Sequence, residues 1–244
     1  VAVHVLQNCA VWHGSADLTA QANSVEVGQE IAEVDNTTFS GNGFASALPG
    51  LKSATINYQG FADFENGSDL ELFTLASSDA NVATVAFDQT IGARAWHSKG
   101  MNATFAPLSG SVGEIAQLTG TLHSSQSAFG LRSGAVIANK AARTTTVSTT
   151  GQQLFTAGTV TLLTAAAHFF VVSGTTPSCV VTVQSSATQG GSYTTRGTFP
   201  AQTTAGGAYI SAAISTTEQW FRATFTISGS SPSFTAAVSA AVSP

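Results

Sequence analysis

Alternation of apolar and polar residues at period two runs through much of this chain. In "SATINYQGF" (53–61), "NVATVAFD" (81–88), "PSCVVTVQSS" (177–186) and "EQWFRATFTISG" (218–229), Thr, Val, Ile and aromatic residues recur between Gly, Pro, Ser or Asn boundaries. Such side chains fit a pleated, half-covered surface, so each run predicts a strand. In the last of them Phe221, Phe225 and Ile227 fall on one face, with Trp220, Arg222 and Thr224 on the other. The period changes once, in "GSDLELFTLASS" (67–78). There Ser68 and Glu71 have the spacing of a capping box, and Leu72, Phe73, Leu75 and Ala76 offer a narrow apolar face. A helix of two to three turns is expected.

Two further patterns bear on organisation. The apolar runs Val160–Leu163 and Ala165–Val172 are far shorter than the ~18 residues of a membrane helix and read as buried strands of a sandwich. Residues 139–153, "NKAARTTTVSTTGQQ", are polar, β-branched and nearly free of large apolar groups, which suggests a linker or domain crossing. At 244 residues one or two domains are both open; the break favours a β unit over 1–145 and a second over 151–244. Within the second, "SGTTPSCVVTV" and "SGSSPSFTAAV" repeat Ser-Gly-x-x-Pro-Ser from Ser173 and Ser228. Gly and Pro predict a turn leading into a strand in each case.

Composition narrows the function classes. Charged residues make up 9% of the chain, against about 25% in an average soluble domain. A surface of Ser, Thr, Asn, Gln and Gly is poorly defended by charge repulsion and suits packing against copies of itself. The charges are also segregated: residues 1–114 hold 12 acids against Lys52, Arg94 and Lys99, a formal −9, while the remainder holds Glu218 against five cations. An acidic first half argues against phosphate binding there. The N-terminal "VAVHVLQNCAVWHG" lacks a basic region and alternates in part, which makes a poor signal peptide. Cys9 and Cys179 lie in apolar runs and read as buried free thiols, with a disulfide as the alternative.

Candidate chemistry is sparse. The stretch Thr37–Phe61 carries Gly41-Asn42-Gly43, but Ser46 stands where a dinucleotide fingerprint needs its third glycine, and the segment passes through Leu48-Pro49-Gly50 into a strand. It reads as a strand–loop–strand element. His4 and His168 sit in apolar strands as core or face residues, while His97 in "ARAWHSKG" reads as part of a polar turn open to a partner. No nucleophile elbow, clustered acid or metal-type Cys/His spacing accompanies them, so catalytic, cofactor and metal residues are expected to be none. The pairs Asp63/Glu65 and Asp69/Glu71 flank the helix start, where negative charge is stabilising in itself. Tyr193, Tyr209 and Trp220 would form a sugar-stacking face if exposed together.

The quoted first half also resembles the N-terminal region of major tail tube proteins from long-tailed, non-contractile bacteriophages. The resemblance rests on "DLT…NSV" (17–25), "VDNTTF" (34–39), "LPGLKSA" (48–54), "GFAD" (60–63), "GSVGEIAQLTG" (110–120) and "GLRSGAVIA" (130–138). The ending "QWFRATFTISGSSPSFTAAVSAAV" resembles a sandwich appended in some members. It implies a mainly β fold: a tail-tube-type sandwich or barrel with one flanking helix, plus a C-terminal β-sandwich. It further implies hexameric rings stacked in the virion tail, assembled in the host bacterial cytoplasm with other tail proteins, around a lumen through which genomic DNA passes without specific binding. On this reading Glu26, Glu30, Glu33 and Asp35 are lumen-facing candidates, and Gly41, Asn42, Gly43 and Phe44 belong to a subunit-contact loop. The alternatives are a capsid-decorating protein and a carbohydrate-binding or adhesive β protein.

Overall fold

Each alternating run is a strand in the structure, a computed structural model that describes residues 6–37, 46–65, 68–75, 78–124 and 130–244. The fold is mainly β, with one short helix among the described residues. The order is β1 (Ala10–His13), β2 (Ala16–Asp17), β3 (Ala22–Asp35), β4 (Ala47–Phe61), α1 (Ser68–Leu75), β5 (Asn81–Ala86), β6 (Arg94–Ser109), β7 (Gln117–Ser124) and β8 (Arg132–Arg143). There follow β9 (Val147–Ser148), β10 (Gln152–Gln153), β11 (Val160–Ser186), β12 (Thr194–Thr198), β13 (Gly206–Thr216) and β14 (Trp220–Ser243). The stretch 139–153, read as a linker, is strand over much of its length: it holds the end of β8 and all of β9 and β10. β9 and β10 pair with β14. Its Thr and Val content favours extended backbone, and pairing satisfies its main-chain groups while the side chains of β9 stay exposed.

In the first half, β2-β1-β5-β6 is continued by β7, β4 and β3, all antiparallel. The layer folds back on itself. Val11, Tyr58, Leu72 and Leu118 form one cluster between β1, β4, α1 and β7, and Ile56, Ala83, Val85 and Leu122 form another. In α1 only Leu72 is fully buried, whereas Phe73 is 64% exposed. The expected apolar face is therefore narrower than its sequence suggests. Glu71 does not close a capping box through its carboxylate, which instead accepts hydrogen bonds from the Ser15 amide (2.7 Å) and hydroxyl.

The second half is a sandwich made by two very long strands. β11 and β14 pair from Leu162↔Ser243 to Ser186↔Trp220. The first part of β11 and the last part of β14 lie between β13 and β8, and their other parts lie between β12 and β9/β10. Both strands turn the corner at the repeated Ser-Gly-x-x-Pro-Ser motif, so the motif is a bend inside a paired strand and not a turn before one. Gly174 and Gly229 have φ of 117° and 120°, and Thr176 and Ser231 have φ of 48° and 47°. The two bends are reciprocal: a Cβ on Gly174 would meet the Ser231 carbonyl oxygen at 2.8 Å, and one on Gly229 would meet that of Thr176 at 2.8 Å. Only glycine satisfies both the positive φ and the close approach. Phe169, Phe234 and Val238 on one sheet pack with Val181, Phe221 and Phe225 on the other.

The two halves share a strand. β8 pairs with β6 through Arg132–Ala135 and with β14 through Ala135–Arg143. The buried Arg143 guanidinium closes its far end, donating to the carbonyls of Asn139, Ala141 and Ala236 above the Phe225 ring.

Candidate assembly interface

Two surfaces carry polar or apolar side chains that the folding pattern alone does not account for. One is closed within the chain. β5 is buried along its entire length because it is covered on both faces. Ala83 and Val85 point into the first-half core, which leaves Val82, Thr84 and Ala86 toward the second half. There the layer meets β11, β13 and β14 so closely that a Cβ on Gly207 would lie 3.1 Å from Cβ of Val82.

This seam contains buried histidines. His97 is not in a polar turn: it lies within β6, opposite Thr84, with no exposed surface. Ala95 on the same face and Ser98 on the other are buried as well, and Lys99 belongs to the strand's continuation. His97 Nδ1 is 2.9 Å from Ser239 Oγ and its Nε2 is 3.1 Å from Thr164 Oγ1. His168 Nδ1 donates to the Gly14 carbonyl (2.9 Å), and its Nε2 is 2.8 Å from Thr84 Oγ1. Thr84 and Ser239 complete the chain at 3.4 Å. His13, on the other face of β1, shares a 2.9 Å hydrogen bond with Tyr58. Burial holds His13 and His97 down to about 3 and His168 to about 4. All three are neutral rings at pH 7. Sequence reasoning placed His168 in a strand but missed that His97 and His168 are joined through Thr84 and Ser239.

The other surface is open. Beyond Ala54, β3 and β4 leave the sheet as a two-stranded ribbon, since β7 pairs with β4 only through Thr55–Phe61 and β3 pairs with β4 alone. Ile31, Val34, Leu48 and Leu51 are 47%, 52%, 54% and 87% exposed. All four acids are on β3 and exposed; Glu30, Glu33 and Asp35 lie on the ribbon and Glu26 before it, opposite Asn57, and alternation divides them. Glu26 and Glu30 share the outer face, and Glu33 and Asp35 the reverse. Glu26 accepts a long hydrogen bond from Asn57 (3.4 Å) and borders a shallow trough of about 270 Å³ lined by Ser24, Gln59, Thr119 and Thr121. The Asp35 carboxyl is held below its usual range by hydrogen bonds from Thr37. Gly41, Asn42, Gly43 and Phe44 lie outside the described residues.

Other candidates are dispersed. Tyr209 packs edge-on against His97 in the seam, while the Tyr193 ring is covered by Arg222 at 3.9 Å. The structure thus does not bring Tyr193, Tyr209 and Trp220 into one stacking face. Both cysteines are free; burial raises the Cys9 thiol and pushes Cys179 up to about 11, so neither is an activated nucleophile. Asp63 accepts from Gln21 and the Glu65 amide, a loop role. Among the described residues no group of three His, Cys, Asp or Glu is placed to hold a metal, and no helix is long and apolar enough to cross a membrane.

No family model matches the chain, and no curated protein matches it significantly. Among solved structures, a chain from the virion of a native gene transfer agent particle is 15% identical, with a TM-score of 0.39, over 53% of this chain and 98% of that one. The SPP1 Dit protein, described as a paradigm of the hub adsorption apparatus in Gram-positive infecting phages, is 11% identical, with a TM-score of 0.38, over 97% of this chain and 99% of that one. Both likenesses are shallow.

Proposed function

We propose that this chain is a structural virion protein, a phage tail tube subunit whose copies join through the β3–β4 ribbon. The observation that carries the reading is the ribbon itself. A two-stranded ribbon is marginal in water on its own, and this one exposes four large apolar side chains and, among the described residues, two unpaired edges. An exposed strand edge is a template for pairing with another chain, and a ring closed by identical contacts leaves no edge open. Six copies per ring and stacking of rings come from the resemblance in sequence.

In such a ring the outer face of β3, β4 and β7 lines the lumen, with Glu26 and Glu30 among Ser, Thr, Asn and Gln. DNA carries one charge per about 1.7 Å of axis, and basic side chains retain it by counterion release. A polar, acidic wall lets it slide. Negative-stain microscopy of the purified chain tests the proposal: rings or tubes are expected, and Leu48→Lys should disperse them. A wild-type chain that stays monomeric at high concentration would refute assembly. If assembled Glu26→Lys/Glu30→Lys tubes retain duplex DNA no better than wild type at low salt, the lumen assignment is wrong.

A further inference from the structure

The hydrogen-bond chain across the seam has a direction set by one atom. The Gly14 carbonyl only accepts, so Nδ1 of His168 must carry a hydrogen. A neutral ring then leaves Nε2 as an acceptor, filled by the Thr84 hydroxyl. Thr84 has no second hydrogen, so Ser239 donates to it. Ser239 in turn accepts from Nδ1 of His97, whose Nε2 accepts from Thr164. Each contact uses one hydrogen, and each of His168, Thr84, Ser239, His97 and Thr164 supplies one. With both rings neutral these five contacts are filled, and the Tyr209 hydroxyl meets Thr164 at the far end of the run.

We propose that this seam is an acid-operated latch: it holds the β1-β5-β6 layer against β11, β13 and β14 only while His97 and His168 are neutral, and their protonation parts the two layers without unfolding them. One extra proton reverses the run of donors. A second leaves two donor nitrogens facing two hydroxyls, with two hydroxyl hydrogens, Thr164's and one from the Thr84–Ser239 pair, that these five contacts cannot accept. The charges find little compensation. His97 faces His168 and the Arg132 guanidinium, which oppose a proton, with Tyr209 at its edge. His168 faces Asp17, which favours a proton, but Asp17 is ion-paired to Lys140, and Lys140 also lies over the Phe170 ring that stacks on His168. His13 adds a third buried ring that repels charge on His168. Glu71, the nearby carboxylate of α1, is engaged by Ser15.

Each layer keeps a core of its own when the seam opens, Ile56–Leu122 on one side and Phe169–Phe234 on the other. The reporter is built in: Trp12 is wholly buried 5.8 Å from His168. In a full-length Trp96→Phe/Trp220→Phe protein, Trp12 emission is followed from pH 8 to pH 3.5 beside far-ultraviolet circular dichroism. The latch predicts a red shift below about pH 6.5, the free imidazole value, while the strand signal persists, and His97→Gln/His168→Gln should move that midpoint down by at least one pH unit. Loss of both signals together, or Trp12 emission unchanged to pH 4, overturns it. Should the double variant fail to fold, ¹⁵N shifts of the wild-type imidazoles decide: both rings must take up protons with the Trp12 transition, and titration of either ring while Trp12 stays buried overturns the latch.

Discussion

The seam and the ribbon are both places where one β layer offers a face to another, and they are built oppositely. The seam is buried, and its hydroxyls and imidazoles are linked in one chain from Gly14 to Thr164. The ribbon shows Ile31, Val34, Leu48 and Leu51 to solvent, with acids on both faces. Polar groups in a closed contact fix one register, because any slip strands a buried donor. Apolar groups on an open one stay in contact with water. The chain thus threads a hydrogen-bonded network through its internal contact and leaves large apolar side chains exposed on the ribbon.

Acid should separate the two most strongly. The buried rings of His13, His97 and His168 have folded values well below the free 6.5, so the unfolded chain binds more protons as pH falls. Stability is whole above about pH 6.5 and is lost toward pH 4. Lowering pH from 7.5 to 5.5 should cost about 4 kcal/mol if all three rings stay neutral when folded, read from urea midpoints at each pH; a flat profile would show that the rings do not control the seam. At constant pH, His168→Ala removes a buried ring and orphans Thr84, and should lower the unfolding free energy by about 3 kcal/mol or more. Gly229→Ala tests the corner, which belongs to neither interface. Its positive φ and backbone clash predict a loss of about 2–3 kcal/mol with assembly intact in whatever protein folds. Thr84→Val keeps the shape and breaks the chain, for about 1–2 kcal/mol. The smallest stability effect is expected in the ribbon: Val34→Ser/Leu48→Ser should leave monomer unfolding within about 0.5 kcal/mol yet abolish higher-order species in sedimentation.

Strands were legible wherever one face is covered, as in β4 from Ala54 and in β14 from Trp220, because a half-covered strand leaves a period-two trace. β5 left a weaker trace, being covered on both sides. His97 was misread for a related reason: Ser98 and Lys99 look like a turn in isolation, and only the pairing of β6 with both β5 and β8 shows that solvent is absent. The Ser-Gly-x-x-Pro-Ser repeat was visible as a pattern but not as a pair of bends, since each glycine is required by the other motif's backbone. Glu26, Glu30, Glu33 and Asp35 were read as lumen-facing candidates without a strand to carry them, and the register shift between Ile31 and Glu33 is visible only in the pairing of β3 with β4.

The shared strand β8 has a consequence for synthesis. Its partner residues in β14, Phe234–Ala240, lie about a hundred positions downstream. At about 5–20 residues per second, a ribosome takes several seconds to deliver them. During that interval the edge of β8 beyond Ala135 is exposed on the nascent chain, together with the face of β5 and β6 that β11, β13 and β14 later cover. A chaperone that binds extended segments, or slow codons placed after β8, would then govern yield more than any contact in the finished protein.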